Sequence, residues 1–272
     1  MSHPSNTDLS SLSGARILVA GASAGIGRAF SVGAVKAGAR AVLAARRLDQ
    51  LEKLRDEAGG GEPVAADLTR EEDCARLAET VRDRLGGLDL LVSCIGAAPM
   101  RLIADTDDDD WRRIFETNVL SVGRLLRRLL PLLEPSAMVM VLSSESVGQP
   151  RPGIGAYSTS KAALERMIEG WRIEHPGLRF TTVTVGATVP TDFGNDFEPG
   201  LLDRMLNDWI SRGLAQEKFM SPQDVADVLL GVVAAGAGRP GVCMENLTLR
   251  SPSPVVDSSG RPLLPFQPSK EH

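Results

Sequence analysis

Tyr157 and Lys161 stand four residues apart in Tyr157-Ser158-Thr159-Ser160-Lys161, and Tyr157 is the only tyrosine of the chain. Ala162, Ala163, Leu164, Met167, Ile168 and Trp171 give the segment from Ala156 to Glu174 a helical period, so phenol and ammonium share one face, a turn apart. An ammonium near a phenol favours the phenolate and lowers the tyrosine pKa. That suits proton exchange with an alcohol or carbonyl oxygen near neutral pH. Ser144, at the end of the apolar run Met138-Val139-Met140-Val141-Leu142, is a hydroxyl able to polarise the same oxygen. The competing reading is an incidental pair on a solvated helix. This stretch alone leaves both open.

The segments that must position these groups alternate between strand and helix. An apolar run from Arg16 to Ala20 ends at Gly21-Ala22-Ser23-Ala24-Gly25-Ile26-Gly27, followed by a helical stretch to Gly38 and a strand at Ala41 to Ala45. That order opens a nucleotide-binding βαβ unit: glycines let backbone N–H groups approach a pyrophosphate, and a helix N-terminus favours its charge. The spacing is GxxxGxG rather than GxGxxG, and a tight connection is the alternative. Helices are expected over Leu48 to Glu57, Glu71 to Leu85, about Asp109 to Leu133, and Pro222 to Ala235 behind a Ser221 cap. Strands are expected over Pro63 to Ala66, Leu88 to Cys94, Ala137 to Leu142, Phe180 to Val185 and Val242 to Leu249. Repeated βα units with apolar strands imply a parallel sheet covered on both faces.

Asn118 interrupts the apolar stripe Trp111, Phe115, Val122, Leu125, Leu126 and Leu129. A buried amide needs hydrogen-bond partners, so Asn118 either bonds neighbouring backbone or holds a water that relays protons from Lys161. The Asp107 to Asp110 run reads as a solvated, dipole-favoured helix start. Residues 1–13 read as a flexible arm, 14–250 as one domain, 192–219 as a Gly/Pro-broken lid, and 251–272 as a Pro/Ser-rich tail.

A chain of 272 residues holds one large domain. Its composition, 43% apolar and 24% charged, is that of a globular enzyme, and a net charge of −5 argues against a nucleic-acid footprint. No apolar run reaches membrane-spanning length, and the polar N-terminus lacks a secretory h-region. Cys74, Cys94 and Cys243 are scattered thiols, which fits a cytoplasmic location. His3, His175 and His272 are too dispersed for a metal site.

Gly21-x-x-x-Gly25-Ile26-Gly27, Asp67, Asn118, Ser144 and Tyr157-x-x-x-Lys161 stand in the order seen in short-chain dehydrogenases/reductases, which the chain resembles over about 14–250. The resemblance implies an α/β fold: a doubly wound, Rossmann-type parallel sheet of about seven strands, and a nicotinamide cofactor. It makes Tyr157 the acid/base, Ser144 the group that positions the carbonyl, Lys161 the ribose ligand and Asn118 a support for the proton relay. Cofactor contacts carried over with it are Gly21, Ser23, Ala24, Gly25, Ile26, Gly27, Asp67, Leu68, Cys94, Gly96, Gly186, Thr188 and Thr191, together with Tyr157 and Lys161. Two departures affect these contacts. Ser93-Cys94-Ile95-Gly96 replaces the family's Asn-Asn-Ala-Gly, and Val185-Gly186 replaces its Pro-Gly, which blurs whether Thr188 or Thr191 meets the carboxamide.

The second strand ends at Ala44-Ala45-Arg46-Arg47 with no carboxylate for a ribose 2′-hydroxyl, so Arg46 and Arg47 favour NADP over NAD. The expected function is an NADP-dependent oxidoreductase moving a hydride between nicotinamide and an apolar secondary alcohol or ketone. The alternative is a non-catalytic NADP(H)-binding regulator on the same fold. The resemblance also implies a homodimer or homotetramer, through the Asn118 and Tyr157 helices.

Overall fold

A computed structural model describes residues 8–191, 197, 199–216 and 218–252. Parts of the arm, the lid and most of the tail lie outside the described residues.

The continuous apolar runs become buried parallel strands, and the segments between them become helices. The order is β1 (Arg16–Ala20), α1 (Gly25–Lys36), β2 (Arg40–Ala45), α2 (Leu48–Ala58), β3 (Glu62–Ala65), α3 (Glu71–Leu85) and β4 (Leu88–Ser93). Then come α4 (Asp108–Phe115), α5 (Ser121–Leu129), β5 (Leu133–Ser144), α6 (Gly155–Glu174), β6 (Arg179–Val185), α7 (Pro199–Ser211), α8 (Pro222–Ala237) and β7 (Asn246–Leu249). All seven strands join one parallel sheet in the order β3-β2-β1-β4-β5-β6-β7. The order reverses between β1 and β4, where open α/β sheets take their ligands at the strand carboxyl ends.

Strand alternation sends Ile17 and Val19 to one face, against Phe30, Leu51 and Leu229 of α1, α2 and α8. Leu18 faces the other side, with Leu77, Leu125 and Leu164 of α3, α5 and α6. A fully buried leucine of this kind contributes about 1.5–3 kcal/mol. Gly33 lets α1 and α8 approach closely, because a Cβ there would lie 2.3 Å from Leu230. Ser221 caps α8 by accepting from the Asp224 N–H at 3.0 Å. Asp107 caps α4 in the same way, through Asp110 at 2.8 Å.

Several elements differ from the sequence expectation. The helix expected from Asp109 to Leu133 is broken by a π-helical turn at Glu116–Leu120 and ends at Leu129, where a 3-10 turn containing Pro131 leads into β5. β7 begins at Asn246 rather than Val242. A 13-residue helix, α7, lies within the segment read as Gly/Pro-broken. At the amino end, Leu12 is buried and Leu9 packs on the core.

Candidate active site

The residues singled out from the sequence gather at the carboxyl edge of the sheet. Ser144 ends β5, and the Tyr157 hydroxyl is hydrogen-bonded to it from α6. Ser144 Oγ is fixed from below, at 3.0 Å from Ser146 Oγ and accepting from the Ser146 N–H at 3.2 Å. Lys161, one turn past Tyr157 and 2% exposed, donates through Nζ to the carbonyls of Leu142 (2.9 Å) and Ile95 (3.0 Å). Its nitrogen lies 5.9 Å from the centre of the Tyr157 ring.

Asn118 sits in the π-turn, fully buried. Its Oδ1 accepts from the Ala97 N–H at 2.8 Å, and its Nδ2 donates to the Ala97 carbonyl at 2.9 Å and to Ser160 Oγ at 2.8 Å. The amide thus ties the loop after β4 to α6. Ser160 was not singled out from the sequence, although its place in the Tyr157-to-Lys161 run was a signal: the position three residues after Tyr157 faces inward.

Electrostatics correct one expectation. The phenol was expected to ionise below its ordinary 10, but burial pushes Tyr157 up to about 12, with the Ser144 hydrogen bond working the other way. Burial pushes Lys161 down to about 8, against the attraction of neighbouring anions such as Glu165. Desolvation dominates in both because each side chain is enclosed by protein.

The glycine turn follows β1. Gly21 has φ +87°, open to glycine at little cost, and a Cβ on Gly27 would lie 2.3 Å from the Gly21 carbonyl oxygen. The Ala24 side chain forms no cap at the start of α1, Ser23 lies in the turn, and Ile26 stands in the first turn of the helix. Arg47 is exposed and donates to Ser23 Oγ at 3.1 Å, which joins the end of β2 to this turn. Arg46 beside it is also exposed. Asp67, past β3, accepts from the Thr69 N–H and hydroxyl, and the buried Leu68 gives its carbonyl to Arg124.

Cys94 and Gly96 follow β4. Cys94 Cβ would be 3.1 Å from a Cβ on Gly27, and burial pushes its thiol up to about 12. Gly96 lies against Lys161. After β6, Gly186 donates to the Leu249 carbonyl at 2.8 Å, and the Thr188 hydroxyl donates to Gly186 O at 2.9 Å. Thr191 reaches back to the glycine turn, its methyl 3.4 Å from where a Cβ on Gly25 would stand. Sequence spacing did not separate the two threonines.

Tyr157 itself packs among apolar side chains. Ala98, Met100, Ile154 and Met205 form a cluster with it, and Leu201 and Trp209 of α7 pack against them. Among the described residues no group of three or more His, Cys, Asp or Glu is placed to hold a metal, and no helix is long and apolar enough to cross a membrane.

The sheet order, the glycine turn at its switch point and the helices on both faces define a Rossmann-type domain. A model of the short chain dehydrogenase family matches residues 15–200, and the chain belongs to that family. Among its relatives, glycine betaine reductase ATRR of Emericella nidulans is 30% identical over 227 residues, 80% of this chain and 17% of that protein. The oxidoreductase YvrD of Bacillus subtilis is 31% identical over 179 residues, 64% of this chain and 66% of that one. The chain therefore spans less than two thirds of either relative. An alcohol dehydrogenase from Thermococcus sibiricus, solved with 5-hydroxy-NADP, superimposes with a TM-score of 0.74 at 25% identity, covering 87% of this chain and 96% of that one.

Proposed function

We propose that the protein is an NADP-dependent oxidoreductase that interconverts an apolar secondary alcohol and its ketone. The observation that carries this reading is a Tyr157 hydroxyl, hydrogen-bonded to Ser144, on a side chain that packs in an apolar cluster with Met100, Ile154 and Met205. An apolar wall with one or two convergent polar groups is the lining expected of a small-molecule site.

The residues present fit a dinucleotide. The close Gly21–Gly27 approach leaves a backbone cradle at a helix N-terminus, where it would hold the pyrophosphate. Arg47, hydrogen-bonded to Ser23, and the neighbouring Arg46 would hold a 2′-phosphate, the third N–H of Lys161 the nicotinamide ribose, and Thr191, against Gly25, the carboxamide. The likeness to a dehydrogenase solved with 5-hydroxy-NADP supports the same choice. A nicotinamide bound there supplies the hydride, which no side chain of this protein can.

The chain's own residues handle the proton. With its pKa held high by burial, Tyr157 carries its proton at neutral pH and gives it to a carbonyl oxygen that Ser144 polarises by hydrogen bonding. Lys161, anchored to two carbonyls, presents positive charge to the phenolate so formed. Asn118 contributes by holding the Ala97 loop and Ser160, its amide N–H groups being engaged by those partners.

NADPH oxidation with a panel of apolar ketones tests this reading. Wild type should turn over, whereas Tyr157→Phe should keep NADPH binding and lose about 10²–10⁴-fold in kcat, the scale of general acid catalysis. NADPH binding without turnover of any ketone would instead favour the regulator. Replacing Arg46 and Arg47 by neutral residues should weaken NADP binding by about 1.5–3 kcal/mol per phosphate contact and spare NAD. An equal loss for both cofactors would overturn the NADP assignment.

A further inference from the structure

Ser144 is followed by a carboxylate that the proton chemistry leaves unused. Glu145 is almost fully buried, and its Oε1 lies 2.6 Å from Arg151 Nη2. Its Oε2 lies 2.9 Å from Nε of Arg250, just past β7. Arg151 is largely enclosed, its side chain 9% exposed, and its other contacts run to α7 and the residues after it. It donates to the Leu214 carbonyl at 3.2 Å, and its guanidinium carbon lies 5.9 Å from the centre of the Trp209 ring. Trp209 answers by donating its indole N–H to the Pro152 carbonyl at 2.8 Å. Three contacts thus join the loop after Ser144 to α7 and its exit. The same helix packs Met205 and Leu201 on the apolar side of Tyr157.

A buried ion pair is a poor source of stability, since desolvation offsets its attraction, but it fixes geometry where an apolar pair would slide. Arg250 alone could neutralise Glu145, so the second guanidinium serves another purpose. Its directional donors meet α7, the element that must close the substrate side of the site. We propose that Arg151 is a positioning residue, anchored to the catalytic strand end by Glu145, that fixes α7 over the substrate beside Tyr157. The proposal rests on the oxidoreductase reading above.

The test uses the full chain with NADPH bound and reads steady-state ketone reduction together with hydrogen exchange. Arg151→Met should raise KM for apolar ketones by about tenfold, equivalent to about 1.4 kcal/mol of lost binding, with kcat far less affected. Exchange over 199–211 should quicken while 155–174 and NADPH affinity stay at wild-type values. Arg151→Lys keeps the charge and should recover part of the KM. Unchanged KM and unchanged exchange over 199–211 would overturn the proposal. Exchange raised equally in 155–174 would also overturn it, because Arg151 would then be a general support of the fold. If Arg151→Met does not fold, Trp209→Phe keeps the Glu145–Arg151 ion pair but removes the indole donor and part of the ring that Arg151 and the apolar cluster contact; exchange over 199–211 should then quicken, and unchanged exchange there overturns the proposal. Should wild type reduce no ketone, the oxidoreductase reading fails separately, and the exchange of Arg151→Met decides this one.

Discussion

Two opposed free energies act on the Tyr157 phenol. Desolvation raises its pKa, and nearby positive charge and hydrogen-bond donors lower it. The sequence shows the second, through Lys161, and conceals the first, because burial belongs to the folded chain. With Lys161 near 8 and Tyr157 near 12, the ammonium is already neutral when the phenol ionises in the cofactor-free protein. With a single tyrosine, the phenolate absorbance reports Tyr157 alone. Its midpoint should fall near 12, hardly moved by Lys161→Met, and should drop when NADP+ brings a positive ring into the site; a cofactor-free midpoint below 10 would refute the burial account. Lys161 makes a second prediction. Its folded pKa is lowered from 10.5 to about 8, so above 8 the unfolded chain binds more protons and stability rises with pH up to about 10.5. Its contribution is lost as pH falls through 8. Denaturant melts between pH 8 and 10 should show wild type gaining on Lys161→Met by at most about 1.4 kcal/mol per pH unit, and parallel curves would contradict it.

The elements that carry the site explain why some of it could be read in advance. Gly27 is legible because its spacing from Gly21, straight after a first strand, suits a close approach of α1 to the turn. Gly27→Ala would place a methyl 2.3 Å from backbone, with no flexible side chain to yield. It should abolish NADPH binding while leaving most of the far-UV signal, and titration of NADPH fluorescence checks this. Retained affinity would remove the turn from the site. Tyr157, Lys161 and Ser144 were equally legible, since helical period and strand end fix where they point. The π-turn around Asn118 was not, because five residues of apolar periodicity do not separate i→i+4 from i→i+5 bonding. α7 was hidden differently: Pro199 and Gly200 look like breakers, yet they stand at its first turn, where a missing N–H costs nothing. Beyond them Leu201, Leu202, Met205 and Trp209 keep a helical period. The Glu145–Arg250 contact spans over a hundred residues and could only come from the folded sheet.

At the scale of the whole molecule, the layer formed by α5, α6 and the π-turn is incompletely covered by the described residues. Leu120 is 50% exposed, and it lines a 320 Å³ groove with Gly123, Met167, Trp171 and the stems of Arg124 and Arg127. Arg124 is already engaged with Glu71 and Glu116, so the floor of the groove is apolar and its rim charged but paired. That is the make-up of an interface core, and the resemblance to the family implies a second copy of the chain as its occupant. A stable pairing buries about 1,600 Å² in total, more than this groove alone offers, so a pairing here would have to run along both helices. α6 carries Tyr157, Ser160 and Lys161 on the face turned inward, so pairing through its outer face would stiffen the helix that holds Tyr157. We expect sedimentation at micromolar concentration to give two or four times the 29.0 kDa chain mass. A double substitution Leu120→Glu, Met167→Glu should yield monomers with a lower melting temperature and higher KM, because α6 loses its outer support. A single 29.0 kDa species for wild type would refute the assembly, and an oligomer untouched by the double substitution would move the interface elsewhere.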